Sequence, residues 1–191
     1  MNLPNKLTML RIVMIPLYLA AMLLPVYTPL SADLMHWIAA LLFVLASVTD
    51  ALDGNIARKR HLITDFGKFM DPIADKLLTC SAMVLLTYLG DLHPVAAILF
   101  IGREFLISGF RLIAAAKGTV IAADKLGKLK TVLQIVFLVM LTLNPCTPFR
   151  LLQPYFNLLG QLVMLVALFF SILSGIQYIR HNKGVINFYD R

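Results

Sequence analysis

The sequence predicts an all-α integral membrane protein with six transmembrane helices and a polar cavity that faces the cytoplasm. Of its 191 residues, 60% are hydrophobic and only 14% are charged, and the mean hydropathy is +0.83. Apolar stretches recur along the whole length, each close to the roughly 20 residues that a helix needs to cross a bilayer. Lysine and arginine collect at the ends of these stretches.

Proline, glycine and polar clusters divide the chain into its elements. The breakers lie at 25–29, 90–94, 118, 144–148 and 154. The six helices are therefore predicted at roughly 5–25, 34–57, 67–89, 94–116, 126–144 and 153–179. Since no linker, repeat or low-complexity tract separates them, residues 1–191 form a single membrane domain.

The basic residues predict the orientation in the membrane. One side carries most of them, and the other carries Arg150 with Asp33 and Asp91. Both termini are therefore expected in the cytoplasm. The formal net charge of +7 is explained by topology and lipid headgroups, so no nucleic-acid partner is expected. The residues on the basic side are Lys6, Arg11, Arg58, Lys59, Arg60, Lys68, Arg111, Lys117, Lys125, Lys128, Lys130, Arg180, Lys183 and Arg191.

Four aspartates form the most informative pattern in the chain. Asp50 and Asp53 share one face of helix 2, and Asp71 and Asp75 share one face of helix 3. Carboxylates at membrane depth are costly unless they are paired or bind a cation. Hard oxygen ligands of this number suit Mg²⁺ or Mn²⁺, with two ions expected. Capping or topology would account for one or two of them, but not for two matched faces.

The segment D50-A-L-D53-G54-N-I-A57-R58, eight residues, then G67-K-F-M-D71-P-I-A-D75 resembles the signature of the CDP-alcohol phosphotransferase family at every fixed position. The resemblance implies the fold of that family and an enzyme that transfers a phosphoryl-bearing group from a CDP-linked donor to an alcohol and releases CMP. It also implies roles for the residues of the motif. Asp50, Asp53, Asp71 and Asp75 would bind the metal ions, Asp75 would be the general base, and Gly54, Ala57, Arg58 and Gly67 would form the CMP site.

Helix 1 begins with a second polar face. Asn5, Thr8 and Arg11 recur at intervals of three residues, and Asn5 and Thr8 are predicted to contact the nucleotide or its phosphates. The alternative is an N-cap followed by an arginine that sets the topology.

Helix 4 places charges inside an apolar segment. Arg103 and Arg111 are eight residues apart, hence on one face, and an arginine pair suits bidentate binding of a substrate phosphate. Glu104 offers an alternative, in which Arg103 and Glu104 form a structural ion pair. Lys128, at the start of helix 5, is predicted to bind the same phosphate; its alternative is an orientation charge, as for Lys125 and Lys130.

The helix 1, helix 4 and helix 5 motifs resemble those of the bacterial branch of the family that makes phosphatidylglycerophosphate. This resemblance implies CDP-diacylglycerol as donor, sn-glycerol 3-phosphate as acceptor, the bacterial cytoplasmic membrane as location and a homodimer. Inositol phosphate or serine remains an alternative acceptor. A divalent-cation transporter is a distant alternative, because the outer halves of the helices are almost uniformly apolar.

Overall fold

A computed structural model describes residues 3–60, 65–118, 125–144, 146, 152–182 and 184, with side chains except at 3, 4, 50–69, 71, 72 and 125. This part of the chain contains six long α-helices and no strand. The all-α prediction is confirmed, and each helix lies within three residues of its predicted bounds. The helices are α1 Leu3–Tyr27, α2 Ala32–Arg60, α3 Asp65–Leu89, α4 Pro94–Ala116, α5 Lys125–Leu143 and α6 Gln153–His181.

The helix ends follow the predicted breakers with one exception. Gly90 and Gly118 follow α3 and α4 with φ of 87° and 74°, a region that only glycine adopts at no steric cost. Pro94 begins α4, where its missing N–H costs nothing. Pro25, expected in a break, lies instead inside the last turn of α1. The helix continues past it, and the N–H of Thr28 bonds to the carbonyl of Leu24 at 2.9 Å.

One apolar core joins all six helices. The packing runs in pairs: α1 lies against α2 and α3, α5 against α6 and α2, and α4 against α6 and α3. Small residues such as Ala39, Ala46 and Ala82 are fully buried, which lets the backbones approach closely. Aromatic contacts fill the remaining space, with ring centroids 5.6 Å apart for Tyr18 and Phe43.

The outward faces are apolar as well. Leu41, Ile98, Leu112 and Leu165 each expose more than half of their surface, which suits a helix bundle in lipid. Six membrane-spanning helices were predicted; within the described residues, four are long and apolar enough to cross a membrane, namely α1, α2, α5 and α6. The chain is therefore a multi-pass membrane protein. In α4, every stretch of membrane-spanning length includes Arg103, Glu104 and Arg111, so this helix brings charge into the bundle.

Candidate functional site

The amino-terminal half of α1 presents its polar face to the interior. Asn5, Thr8 and Arg11 have exposed fractions of 8%, 1% and 0%. Such burial of three polar side chains in a membrane helix is costly unless each is bonded, and all three have interaction partners. The shared face predicted for these residues is therefore present and points inward.

The carboxylate motif lies on two helices that contact each other. The backbones of α2 and α3 are helical through positions 50, 53, 71 and 75, and the two helices pack together. The side chain of Asp75 is exposed. The side chains of Asp50, Asp53 and Asp71 lie outside the described residues, as do those of Gly54, Ala57, Arg58 and Gly67. Among the described side chains, no three metal-ligating groups come together, so the metal site stays a prediction.

Arg103 of α4 lies against α6. Its Nη2 donates a hydrogen bond to Ser174 Oγ at 2.9 Å, and its Nε is buried with no hydrogen-bond partner among the described residues. A Cβ added at Gly175 would lie 3.4 Å from Arg103 Cγ. The glycine thus lets the aliphatic part of the arginine lie directly on α6, and Ser174 fixes its end.

Arg111, two turns further along α4, is held by a tyrosine. Its Nε donates to Tyr178 Oη at 3.2 Å, and its Cζ lies 5.4 Å from the centroid of that ring. Both a hydrogen bond and a cation–π contact therefore fix the guanidinium. Phe110 packs edge-on against the same ring, with centroids 5.8 Å apart. Tyr178 is itself buried.

A third cation, Lys130 of α5, is 1% exposed. Its ammonium forms an ion pair with Glu104 Oε1, and the same carboxylate oxygen lies 3.7 Å from Arg103 Nη1. The predicted Arg103–Glu104 pair is therefore present, but Glu104 binds Lys130 more closely. Lys128 is exposed and is not part of this cluster in the described structure.

These groups form one site across four helices. Lys130 interacts electrostatically with both Arg103 and Asp75, which joins the cationic cluster of α4–α6 to the end of the carboxylate motif on α3. Among the described residues, Lys130 and Arg103 lie near the carboxylate of Glu104, and Arg111 adds a third positive charge that repels Arg103. Lys130 is buried, Arg103 is half-buried and Arg111 is exposed. This local excess of positive charge favours an anionic ligand.

Sequence reasoning missed three of these residues. Lys130 continues the buried stripe of α5, because it lies four residues before the buried Gln134, and Phe137 and Leu138 extend the same face. That periodicity could have identified it. Ser174 and Tyr178 gave no comparable signal, since a serine and a tyrosine in an apolar helix are ordinary packing residues.

An apolar groove of about 670 Å³ runs between α1 and α3. At one end lies Cys80, five residues after Asp75 on α3. At the other end the hydroxyls of Tyr27 and Tyr88 are 3.1 Å apart. The groove therefore begins within two turns of Asp75 on α3 and runs away from it along that helix. It is lined by Leu19, Leu23, Tyr27, Cys80, Ser81, Val84, Leu85 and Tyr88.

Comparison with known proteins finds relatives that cover most of the chain. A Bacillus subtilis protein named CDP-diacylglycerol--glycerol-3-phosphate 3-phosphatidyltransferase is 43% identical over 188 residues, 95% of each chain. A Rickettsia bellii protein of the same name is 39% identical over 182 residues, covering 95% of this chain and 96% of its own. A probable phosphatidylglycerophosphate synthase of Mycobacterium tuberculosis is 35% identical over 178 residues, covering 93% and 80%. The family model described as CDP-alcohol phosphatidyltransferase matches residues 1–173, and the chain belongs to that family.

Proposed function

We propose that this protein transfers the phosphatidyl group of CDP-diacylglycerol to sn-glycerol 3-phosphate, which gives phosphatidylglycerophosphate and CMP. The observation that carries the proposal is the pair of arginines, Arg103 and Arg111, held by α6. Lys130, which interacts with both Arg103 and Asp75, lies between this pair and the carboxylate motif. An acceptor that bears a phosphate needs such cations, whereas an uncharged alcohol does not. The names of the relatives from Bacillus and Rickettsia support the same donor and acceptor.

The proposed chemistry is a displacement at phosphorus. The acceptor hydroxyl oxygen attacks the phosphorus that carries diacylglycerol, a new P–O bond forms, and the bond to the CMP oxygen breaks. The proton of the hydroxyl passes to the Asp75 carboxylate, which acts as general base. Arg103 and Arg111 bind the phosphate of the acceptor, and so hold its hydroxyl near Asp75. Lys128, exposed at the start of α5, remains proposed as an outer contact for the same phosphate.

The carboxylate motif is proposed to bind divalent metal. Asp50, Asp53, Asp71 and Asp75 supply only hard carboxylate oxygens, a donor set that fits Mg²⁺ or Mn²⁺, and they lie on the two packed helices α2 and α3. Two ions are proposed. When bound, they neutralise charge on the diphosphate and on the departing CMP.

The donor is proposed to lie between α1, α2 and α3. Its nucleotide would contact the inward polar face of Asn5 and Thr8. The family motif adds Gly54, Ala57, Arg58 and Gly67 to this nucleotide site. One acyl chain is proposed to occupy the groove between α1 and α3, which begins five residues after Asp75 on α3 and is lined mostly by apolar side chains.

The location and assembly follow from the same proposal. The polar headgroup of CDP-diacylglycerol and the water-soluble glycerol 3-phosphate would meet at the cytoplasmic face of a bacterial inner membrane. The basic residues of the chain predict both termini on that side. A homodimer is proposed from the family resemblance. Chemical crosslinking in native membranes would test the dimer.

The direct test is CMP release by the purified protein in detergent with CDP-diacylglycerol and Mg²⁺ or Mn²⁺. Glycerol 3-phosphate, inositol phosphate and serine are offered separately as acceptors. We expect CMP only with glycerol 3-phosphate, and none after addition of EDTA. CMP with another acceptor would contradict the assignment of the acceptor, and CMP in EDTA would contradict the metal site.

A variant assigns the arginines to the acceptor. Arg111→Ala is expected to raise the KM for glycerol 3-phosphate roughly 10- to 100-fold, because it removes a charged hydrogen-bonding group, while the KM for CDP-diacylglycerol changes less than about twofold. The control is Arg180→Ala, which removes an exposed arginine from the last turn of α6. Equal rises in both KM values would indicate a structural role for Arg111.

A further inference from the structure

The partners of both arginines lie on one helix. Arg103 bonds to Ser174 and Arg111 bonds to Tyr178, and these partners are one helical turn apart on α6. We propose that Ser174 and Tyr178 are positioning residues that hold the two guanidinium groups ready for the phosphate of the acceptor. This inference rests on the proposed function, since the acceptor is the ligand that the arginines bind.

The hydroxyl group of Ser174 has a fixed orientation. Its hydroxyl donates to the backbone carbonyl of Ser171 at 3.1 Å and accepts from Arg103 Nη2 at 2.9 Å. The serine is 1% exposed, so water does not compete for either bond. Because the hydroxyl proton is committed to the carbonyl, the lone pairs of the oxygen face the arginine. Ser174 therefore accepts from Arg103 in one orientation only.

Tyr178 binds Arg111 through Nε and not through the two terminal nitrogens of the guanidinium group. The bond uses Nε, which leaves the two terminal nitrogens without a hydrogen-bond partner among the described residues. Those nitrogens are donors for paired bonds to phosphate oxygens. The tyrosine is held in turn by Phe110 and by burial in a small cluster with Ile107. Packing of the ring therefore fixes the position of the hydroxyl that bonds to Arg111.

The chemistry of the two partners explains why the arginines suit an anion. Both are neutral hydroxyls, so they fix the guanidinium groups without cancelling their charge. Arg103 and Arg111 also repel each other electrostatically. Glu104 lies closest to Lys130 and is 3.7 Å from Arg103 Nη1, whereas no carboxylate pairs with Arg111 among the described residues. A phosphate between the arginines relieves their repulsion, which favours a phosphate-bearing acceptor over a neutral alcohol.

Two conservative variants test the proposal. Tyr178→Phe keeps the ring and its packing but removes the hydroxyl, and Ser174→Ala removes the other acceptor. Each is expected to raise the KM for glycerol 3-phosphate about tenfold, with the KM for CDP-diacylglycerol and kcat within about twofold of the unmodified protein. Ser174→Thr keeps a hydroxyl and should restore a KM within about threefold.

Matched controls lie on the same helix. Tyr155→Phe changes an exposed tyrosine, and Ser171→Ala changes a buried serine whose Oγ has no hydrogen-bond partner among the described residues. Neither should alter the KM for glycerol 3-phosphate. The proposal is overturned if Tyr178→Phe and Ser174→Ala behave like these controls, or if they raise both KM values equally.

A binding measurement separates this proposal from the proposed function. Inorganic phosphate and glycerol 3-phosphate should each raise the thermal unfolding midpoint of the unmodified protein in detergent, because they bind the folded state. The double variant Ser174→Ala/Tyr178→Phe should lose most of that rise. Release of no CMP with glycerol 3-phosphate would refute only the proposed function. An undiminished phosphate effect in the double variant, or none in the unmodified protein, would refute the positioning role.

Discussion

The ion pair between Lys130 and Glu104 joins α5 to α4. Loss of one partner is expected to destabilise the protein more than loss of the other. Removal of Glu104 leaves the 1% exposed ammonium of Lys130 beside the like charge of Arg103, with Asp75 as the remaining carboxylate that attracts it. Removal of Lys130 leaves Glu104 with Arg103 Nη1 at 3.7 Å. Glu104→Gln is therefore expected to destabilise the protein more than Lys130→Met.

The magnitudes follow from burial. Breaking a buried ion pair costs about 3–5 kcal/mol, and the 20% exposure of the Glu104 side chain favours the lower end. About 3 kcal/mol corresponds to a fall in the unfolding midpoint of roughly 6–12 °C for a chain of this size. For Lys130→Met we expect about 1–2 kcal/mol, because a second cation remains near the carboxylate.

Thermal unfolding in detergent of the two single variants and the double variant completes the cycle. The double variant should be more stable than the sum of the single losses predicts, by at least about 1 kcal/mol. Additive losses would show that the two side chains are not coupled. A larger loss for Lys130→Met than for Glu104→Gln would refute the assignment of the uncompensated ammonium as the costly species.

Three further predictions concern the base, the packing of Arg103 and the far end of the bundle. Asp75→Asn should lower kcat at least about 100-fold, since it removes the general base; near-normal CMP release would refute that role. Gly175→Ala should be tolerated, because its Cβ would meet Arg103 Cγ at an ordinary 3.4 Å. Gly175→Val should displace Arg103 and raise the KM for glycerol 3-phosphate; the same KM in both variants would contradict this contact. In the α3–α4 turn, burial raises the pKa of Asp91 despite the opposing charge of His36. Ionisation of Asp91 therefore lowers the stability of the folded protein as pH rises through the acid range. Asp91→Asn should raise the unfolding midpoint at pH 7 and raise it less at pH 4. A rise in the midpoint that is independent of pH would refute burial of the carboxylate as its cause.

The helices could be predicted because local residue types determine where each helix begins and ends. Apolar runs of bilayer length end at residues such as Gly90, Pro94 and Gly118, and each break follows from a single backbone property. The inward face of α1 was equally local, since Asn5 and Thr8 recur at helical spacing. Pro25 shows the limit, because the position of a proline within the final turn decides whether a helix ends.

The cationic site could be predicted only in part. Arg103 and Arg111 were identified because charge in an apolar helix is costly, but their partners are 71 and 67 residues away along the chain and depend on how α4 meets α6. Lys128 and Lys130 lie two residues apart, hence on nearly opposite faces of α5. Charge alone did not show which of the two lysines is buried. The stripe of buried residues further along α5 shows that it is Lys130.

The central claim is that the phosphatidyl group is transferred to glycerol 3-phosphate. The most direct measurement is mass spectrometry of the lipid formed from CDP-diacylglycerol and isotope-labelled glycerol 3-phosphate by the purified protein. We predict a labelled phosphatidylglycerophosphate, in amounts equal to the CMP released and reduced in Arg111→Ala at limiting acceptor. CMP release without label in the lipid would contradict the claim.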